Sequence, residues 1–529
     1  MVFKMNKLKN NKSVIAILVI ICALQIMVSV FWGNQKNSLF FDEVFSYPAA
    51  NCASGEFSKM PENRWLDEHW YTDFMSVNQM HTFEYSIPYG NQISDVHPPL
   101  FYLLLHTACS FIPGEFSIWT GIGLNVMFFV GCTLVLFFLG KELFESNACG
   151  LLAAFLYAVS YGGINTMVYI RMYMLVTFMA LIHALTYVKY FERERIPARA
   201  YVFLALTMLG GVMSQYYFLF IAFFFGVWYT IKFFKEKRWA DLGKYLGTIG
   251  ITAAVSLSVW PAMLEHLFGN GRGEEARGNL LSMNGYLSDL REMFRIMNND
   301  MFTKLLPAIL VAMLFLWLIC YKKKISILLK ARNTQFAILF VCVGYFLLVT
   351  KAAPYQTDRY VMMIYPLVYL LVIGNMYLIL SKFVSERLAS GACILVFLGL
   401  SIVHMLHSGI PYTYVKNQDT IERNAIAEDY HENYAIYVSD NKGAHFYDAI
   451  QMLKEYKGYY YIYDLTRVEQ IQQDMKVLEN EKNLVVYVKN KRTTEETNEL
   501  IQEVFNGQRL GEDNLLDQDE KWSVYLIKL

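Results

Sequence analysis

Apolar residues in this chain come in long blocks separated by short polar punctuation as far as about residue 408, and beyond that point the pattern is that of an ordinary soluble polypeptide. Each block is close to the roughly 20 residues that a helix needs to cross a bilayer. The blocks predict spans at about 14–32, 116–140, 148–168, 171–190, 200–214, 217–233, 244–264, 303–321, 334–350, 360–381 and 388–408. The first is too long and apolar for a secretory signal and has no small-x-small cleavage site before a soluble domain, so it reads as a retained anchor. One further apolar stretch, Pro99–Ile112, is only about 14 residues long and falls short of the spanning range. After residue 408 the period changes. Tyr434–Ser439, Gly458–Tyr463, Asn483–Lys489 and Trp522–Ile527 are β-rich, and Gly443–Tyr456, Thr466–Glu479 and Thr494–Phe505 repeat as helices do. That alternation predicts a small α/β domain with a mainly parallel sheet. The chain therefore divides into a membrane domain, 1–408, and a soluble domain, 409–529.

Charge orients this picture. Lys4, Lys7, Lys9 and Lys12 precede the first span and put the N-terminus in the cytoplasm by the positive-inside rule. If Pro99–Ile112 lies flat at the interface, the other basic clusters also face the cytoplasm: Lys141, then Arg193, Arg195 and Arg199, then Lys235, Lys237 and Arg238. Lys322–Lys324 with Lys330 and Arg332, and Lys382 with Arg387, follow the same side. The loops 33–115 and 265–302 and the C-terminal domain then lie outside the cell membrane. Only 17% of residues are charged, against about a quarter in soluble domains. The net charge is zero and no basic tract points to nucleic acid. Eight cysteines, most inside apolar blocks and none with metal-ligand spacing, argue against a disulfide framework or a zinc site.

Four segments at the outer ends of spans hold the candidate chemistry. Asp42-Glu43 sits among aromatics in Leu39–Tyr47, where Phe40, Phe41, Val44 and Tyr47 would form one apolar helix face. A carboxylate held at such an interface is partly desolvated and becomes a better base. The alternative is that both acids are the wetted face of that helix. Asp95-Val96-His97-Pro98-Pro99 would hold His97 at the mouth of a proline-started helix, or simply mark the helix start. Tyr169–Tyr173 and Tyr355–Tyr360 each bring an arginine, Arg171 and Arg359, to an outer boundary. Such an arginine either snorkels to headgroups or clasps a phosphate through its planar fork. The loop 265–302, with Gly269, Gly271, Gly273 and Gly278, reads as a lid or as a solvated connector.

Asp42-Glu43 after the first span, His97-Pro98-Pro99-Leu100 closing the first outer loop, Arg171-Met172-Tyr173, and Arg359-Tyr360 with Pro366 together resemble the bacterial protein-mannosyltransferase-like membrane glycosyltransferases. These belong to glycosyltransferase family 39 and the GT-C fold, with protein O-mannosyltransferases and lipid A aminoarabinose transferases as relatives. The resemblance covers residues 14–190 and about 350–370 and rests on motif order. It implies an α-helical polytopic protein with about eleven spans and flat juxtamembrane helices in the first outer loop. It implies Asp42 as catalytic base with Glu43 beside it. Around the donor phosphate and substrate it implies His97, Arg171, Tyr173, Arg359 and Tyr360. The chain departs from the aminoarabinose transferases in having Arg171 where they carry an acid nearby. It also departs at His97-Pro98-Pro99, where they carry a lysine.

The expected reaction moves a hexosyl or mannosyl group from a polyprenyl-phosphate sugar to a hydroxyl on a protein, polymer or glycolipid, with inversion. No cofactor is required by the sequence; the acid pair could hold a divalent metal, but no further oxygen-ligand pattern accompanies it. Two other classes remain open, a lipid or sugar transporter and a membrane-anchored binding or sensor protein. A transporter would show charges at the bilayer midplane or internal repeats, and neither is evident.

Overall fold

The computed structural model describes residues 2–53, 61, 63–269, 271–325, 332–439, 443–462, 464–489, 494–505, 507–519 and 522–529. Lys330 of the basic clusters and Tyr463 at the end of an expected strand lie outside them. The chain forms two compact units: Met1–Asn34, Asp95–Phe101 and Gly121–Ile410 in one, Gln35–Ser94, Tyr102–Thr120 and Pro411–Leu529 in the other. This differs from the sequence boundary at 408, because most of residues 35–120 cluster with the C-terminal residues.

The first unit is helical and its helices coincide with the apolar blocks. Among the described residues, eight helices are long and apolar enough to cross a membrane, from Lys12–Asn34 to Glu386–Ser408, and two bent pairs bring the number to ten. The eleventh expected span is the 17-residue helix Ala198–Ser214. Leu100–Cys109 has ten residues, about 15 Å at 1.5 Å per residue, half of what a bilayer core requires.

Both bends have local causes. Asn147–Ala158 and Tyr161–Val168 meet at 52°. Ser160 stops the first helix and caps the second, its Oγ accepting from Gly163 N at 3.1 Å. A side chain at Gly163 would meet Tyr157 O at 2.7 Å, so only glycine allows the close approach. Tyr286–Phe302 and Leu306–Lys322 meet at 74°. Thr303 and Lys304 turn the chain with φ of 50° and 68°. Proline in the first turn of the second helix lacks a donor where none is needed, and Asn298 Oδ1 takes the Leu306 N–H at 2.9 Å.

The second unit is built on a six-stranded sheet. In chain order the strands are β1 (Trp65–Leu66), β2 (Tyr434–Val438), β3 (Gly458–Ile462), β4 (Asn483–Lys489), β5 (Leu515–Gln518) and β6 (Trp522–Lys528), and they lie in the order β1-β3-β2-β4-β6-β5. Only the three central strands, β3-β2-β4, are parallel. The expectation of a mainly parallel sheet is corrected to a mixed one, since β4–β6, β6–β5 and β3–β1 are antiparallel. Asp519 N–H donates to Trp522 O at 2.9 Å where β5 and β6 pair. The other edge, β1, comes from the segment between the first two long apolar helices and is fixed by Trp65 Nε1 donating to Asp474 O at 2.8 Å. Ile436, Val438, Ile462, Val486 and Ile501 lie in the buried core on this sheet.

Candidate functional site

In the second unit the acid pair begins the helix Phe41–Asn51. Val44 and Tyr47 are completely buried and anchor it. The two acids have separate fates. Glu43 has no exposed surface; its Oε2 accepts from Phe40 N–H at 2.6 Å and pairs with Lys36 Nζ at 3.0 Å. Lys36 also donates to the Tyr412 carbonyl. Burial pushes the Lys36 ammonium down from its ordinary range, and the Glu43 charge and hydrogen bond pull it back up. Asp42 is only half-buried, in a first turn where the helix dipole favours negative charge. The segment leading into the helix is gripped by Gln451, whose Oε1 takes the Leu39 N–H and whose Nε2 donates to Leu39 O, both at 2.6 Å.

The other five candidates belong to the first unit. His97 lies between a carboxylate and a guanidinium: Nδ1 is 2.7 Å from Asp95 Oδ2, and Nε2 is 3.2 Å from Arg171 Nη2. A guanidinium can only donate, so Nε2 accepts and the ring proton on Nδ1 faces Asp95. Burial opposes ionisation of Asp95, but His97 and Arg171 outweigh it and hold the carboxyl at about 2. Arg171 is 4% exposed and occupies the short connection between Tyr161–Val168 and Tyr173–Thr186. That connection is pinned by Asn125, whose Nδ2 donates to Met167 O at 3.0 Å and Tyr169 O at 2.7 Å.

Tyr173 stacks on Tyr169 with centroids 5.4 Å apart and is near enough to Tyr360 to act on it electrostatically. Arg359, 8% exposed, lies over the rings of Tyr355 and Tyr360 at 5.0 and 5.3 Å and donates to the Tyr355 hydroxyl. Its own amide is taken by Asp358 Oδ1 at 2.8 Å, and Asp358 Oδ2 accepts from Asn165 Nδ2 at 3.0 Å. Tyr345 fixes the turn by donating to Tyr360 O at 2.7 Å. His97 and Arg171 are thus in contact with each other, and Tyr173, Tyr360 and Arg359 lie together as a second group, with Tyr217 edge-on to Tyr360 at 5.4 Å. Arg272, in the loop 265–302 read as a lid or a connector, also interacts with Tyr355 and Tyr360.

Sequence reading assigned no role to several groups that the structure makes prominent. Asp300 is buried and accepts from Tyr365 OH at 2.6 Å, within electrostatic reach of Asp358. Lys36, Asn125 and Gln451 were likewise passed over. The only local signal was a lone polar residue in or beside an apolar run. Among the described residues, no three His, Cys, Asp or Glu side chains gather to hold a metal ion.

No family model matches the sequence, and no curated protein sequence does. Among solved structures the chain is similar to ArnT from Cupriavidus metallidurans in the apo state, at 10% identity and TM-score 0.47, over 95% of this chain and 97% of that one. It is also similar to the archaeal oligosaccharyltransferase AglB from Archaeoglobus fulgidus, in complex with an inhibitory peptide and a dolichol-phosphate. That likeness has 10% identity and TM-score 0.46, over 93% of this chain and 71% of the other. Both have the GT-C fold.

Proposed function

We propose that this protein is a cell-membrane glycosyltransferase that moves a sugar from a polyprenyl-phosphate carrier to an acceptor hydroxyl on the extracytoplasmic side. The observation that carries the reading is the pair of buried guanidinium groups, Arg171 and Arg359, each at a break between apolar helices and each cradled by imidazole or phenol side chains. A donor whose tail stays in the bilayer brings its phosphate to such a boundary, and arginine is the side chain best shaped to hold it.

In this mechanism Asp42 takes the proton of the acceptor hydroxyl while the oxygen attacks the anomeric carbon from the face opposite the phosphate. The new glycosidic bond forms as the carbon–phosphate-oxygen bond breaks, which inverts the centre. Polyprenyl phosphate leaves as a weak base, so no general acid is needed; glycosidases, whose leaving alkoxide must be protonated, pair two carboxylates. Arg171 and Arg359 stabilise the charge that grows on the phosphate. Of the two acids only Asp42 suits the base role, since Glu43 is sealed against Lys36.

The test is transfer of radiolabelled sugar from a panel of polyprenyl-phosphate sugars to a cell-envelope extract by the purified protein, with Asp42→Asn alongside. Transfer that is lost in the variant supports the reading. Near-normal transfer by folded Asp42→Asn removes Asp42 as base, and no transfer from any donor by folded native protein removes the function.

A further inference from the structure

The second unit contains a cavity of about 350 Å³ beside the start of the acid-bearing helix, a size within the roughly 300–1,000 Å³ typical of small-ligand sites. Its lining includes the aromatic residues Phe40, Phe41 and Tyr414. It also includes Asp419, Arg423 and Asn424 from the helix Gln418–Asp429 and Asp448 from the helix Gly443–Leu453.

The charge of this lining limits what it can take. Arg423 is already paired with Asp519 at 3.1 Å, so Asp419 and Asp448 leave the lining acidic. A phosphate or other anion is repelled there. A neutral compound with many hydroxyls is suited: carboxylates and amides pair with hydroxyls in both senses, and aromatic faces cover the C–H surface of a sugar ring.

Tyr414 adds a second, independent observation. Its φ of 59° lies in the left-handed region, which a bulky residue enters only when its surroundings force it, and such strain gathers at functional sites. Here the backbone is held by Tyr414 N–H donating to Pro411 O and by Asn417 N–H donating to Tyr414 O, both at 3.1 Å. The hydroxyl is pushed upward by burial and by the charges of Glu43, Asp448 and Asp42, against the pull of Arg423. One phenol is thus in electrostatic reach of both the pocket acid and the acid pair.

We propose that this pocket seats the acceptor, a neutral saccharide whose free hydroxyl is presented to Asp42. The proposal rests on the transferase reading and deepens it by naming the acceptor class. The hydroxyl proton passes to Asp42, and the bond from oxygen to the donor's anomeric carbon replaces the one to phosphate.

Asp448 and Asn424 are exposed, so Asp448→Asn and Asn424→Trp alter or block the pocket without disturbing a core. Full-length protein in lipid nanodiscs is assayed with neutral methyl glycosides and trisaccharides, with a serine- and threonine-bearing peptide, and with an anionic saccharide. Transfer to a neutral saccharide is expected. Relative to each variant's own rate of donor hydrolysis, that transfer falls at least tenfold in Asn424→Trp and several-fold in Asp448→Asn. An unchanged ratio in Asn424→Trp overturns the proposal, as does a peptide or anionic acceptor taking all the sugar. Saturation-transfer NMR with the same neutral saccharides separates the two readings. A signal in native protein that is lost in Asn424→Trp, with no donor ever turned over, keeps the pocket and removes the transferase; no signal in native protein removes the pocket.

Discussion

Lys36 and Arg171 are both cations with almost no exposed surface, and they are held in different company. Lys36 touches a full carboxylate at 3.0 Å and a backbone carbonyl, so its charge is closed off where it stands. Arg171 leans on an imidazole whose far nitrogen faces Asp95, which links carboxylate, ring and guanidinium in a relay. Desolvation makes any buried ion expensive, and a contact pair recovers part of that cost by cancelling its own field. Burial alone therefore does not mark a working charge.

The sharpest way to break this comparison is to remove the closing acid. Glu43→Leu leaves Lys36 buried and unpaired, and stability should fall by about 3–5 kcal/mol, read as a lowered melting temperature. The double variant Lys36→Met/Glu43→Leu should recover most of the loss. If the single variant melts like native protein, the pair is not structural.

Next in size is Asp42→Asn, expected to cut transfer about 10²–10⁴-fold, the range of a lost general base, while the melting temperature stays put. A matching fall in stability would make the neighbouring acids equivalent after all.

Arg171→Ala and Arg359→Ala should each cost about 10²–10³-fold in transfer, as for the loss of one donor to a developing anion. Arg359→Lys should recover little, because an ammonium lacks the planar surface that lies against Tyr355 and Tyr360. Unaltered donor affinity in Arg359→Ala takes that residue out of the phosphate site.

The smallest effect is a pH dependence. Asp95 is held at about 2, below the ordinary carboxylate value near 3.9. Its ionised form stabilises the fold fully above the unfolded value, and that contribution disappears as pH falls through 2. The gap in melting temperature between native protein and Asp95→Asn should accordingly be constant above about pH 4 and close on approach to about pH 2. A gap that stays constant to pH 2 would show that the relay does not depend on this charge.

The helices of the first unit were legible because crossing a bilayer demands about 20 apolar residues in a row, a signal that needs no tertiary information. The bend before Tyr161 was written in Ser160, Gly162 and Gly163, though the reading made one straight span of it. Four of the strand positions from Tyr434 onward were also legible, though not β5, and their direction was not, since a strand alternates in the same way beside a parallel or an antiparallel neighbour. The two-residue β1 has no period to read at all. At the site, their place at span boundaries brought Arg171 and Arg359 to notice. It could not show that Glu43 is closed by Lys36, seven positions earlier. Nor could it show that Asp300 is bonded by Tyr365, which lies 65 residues further on. Such pairings exist only once the chain has folded.

The grip of Gln451 on Leu39 has a consequence in time. The two residues are 412 positions apart, so the ribosome must add that stretch of chain after Leu39 before the clamp on it exists. At the roughly 5–20 residues per second of synthesis, that interval is tens of seconds. Throughout it, Asp42 is already made while the segment before its helix lacks the Gln451 clamp. A nascent chain stopped at the end of its last apolar helix would carry every candidate residue named from the sequence and still lack this clamp. The tail thus gives the protein a built-in order of assembly, in which the segment before the acid is clamped only after the last apolar helix is made.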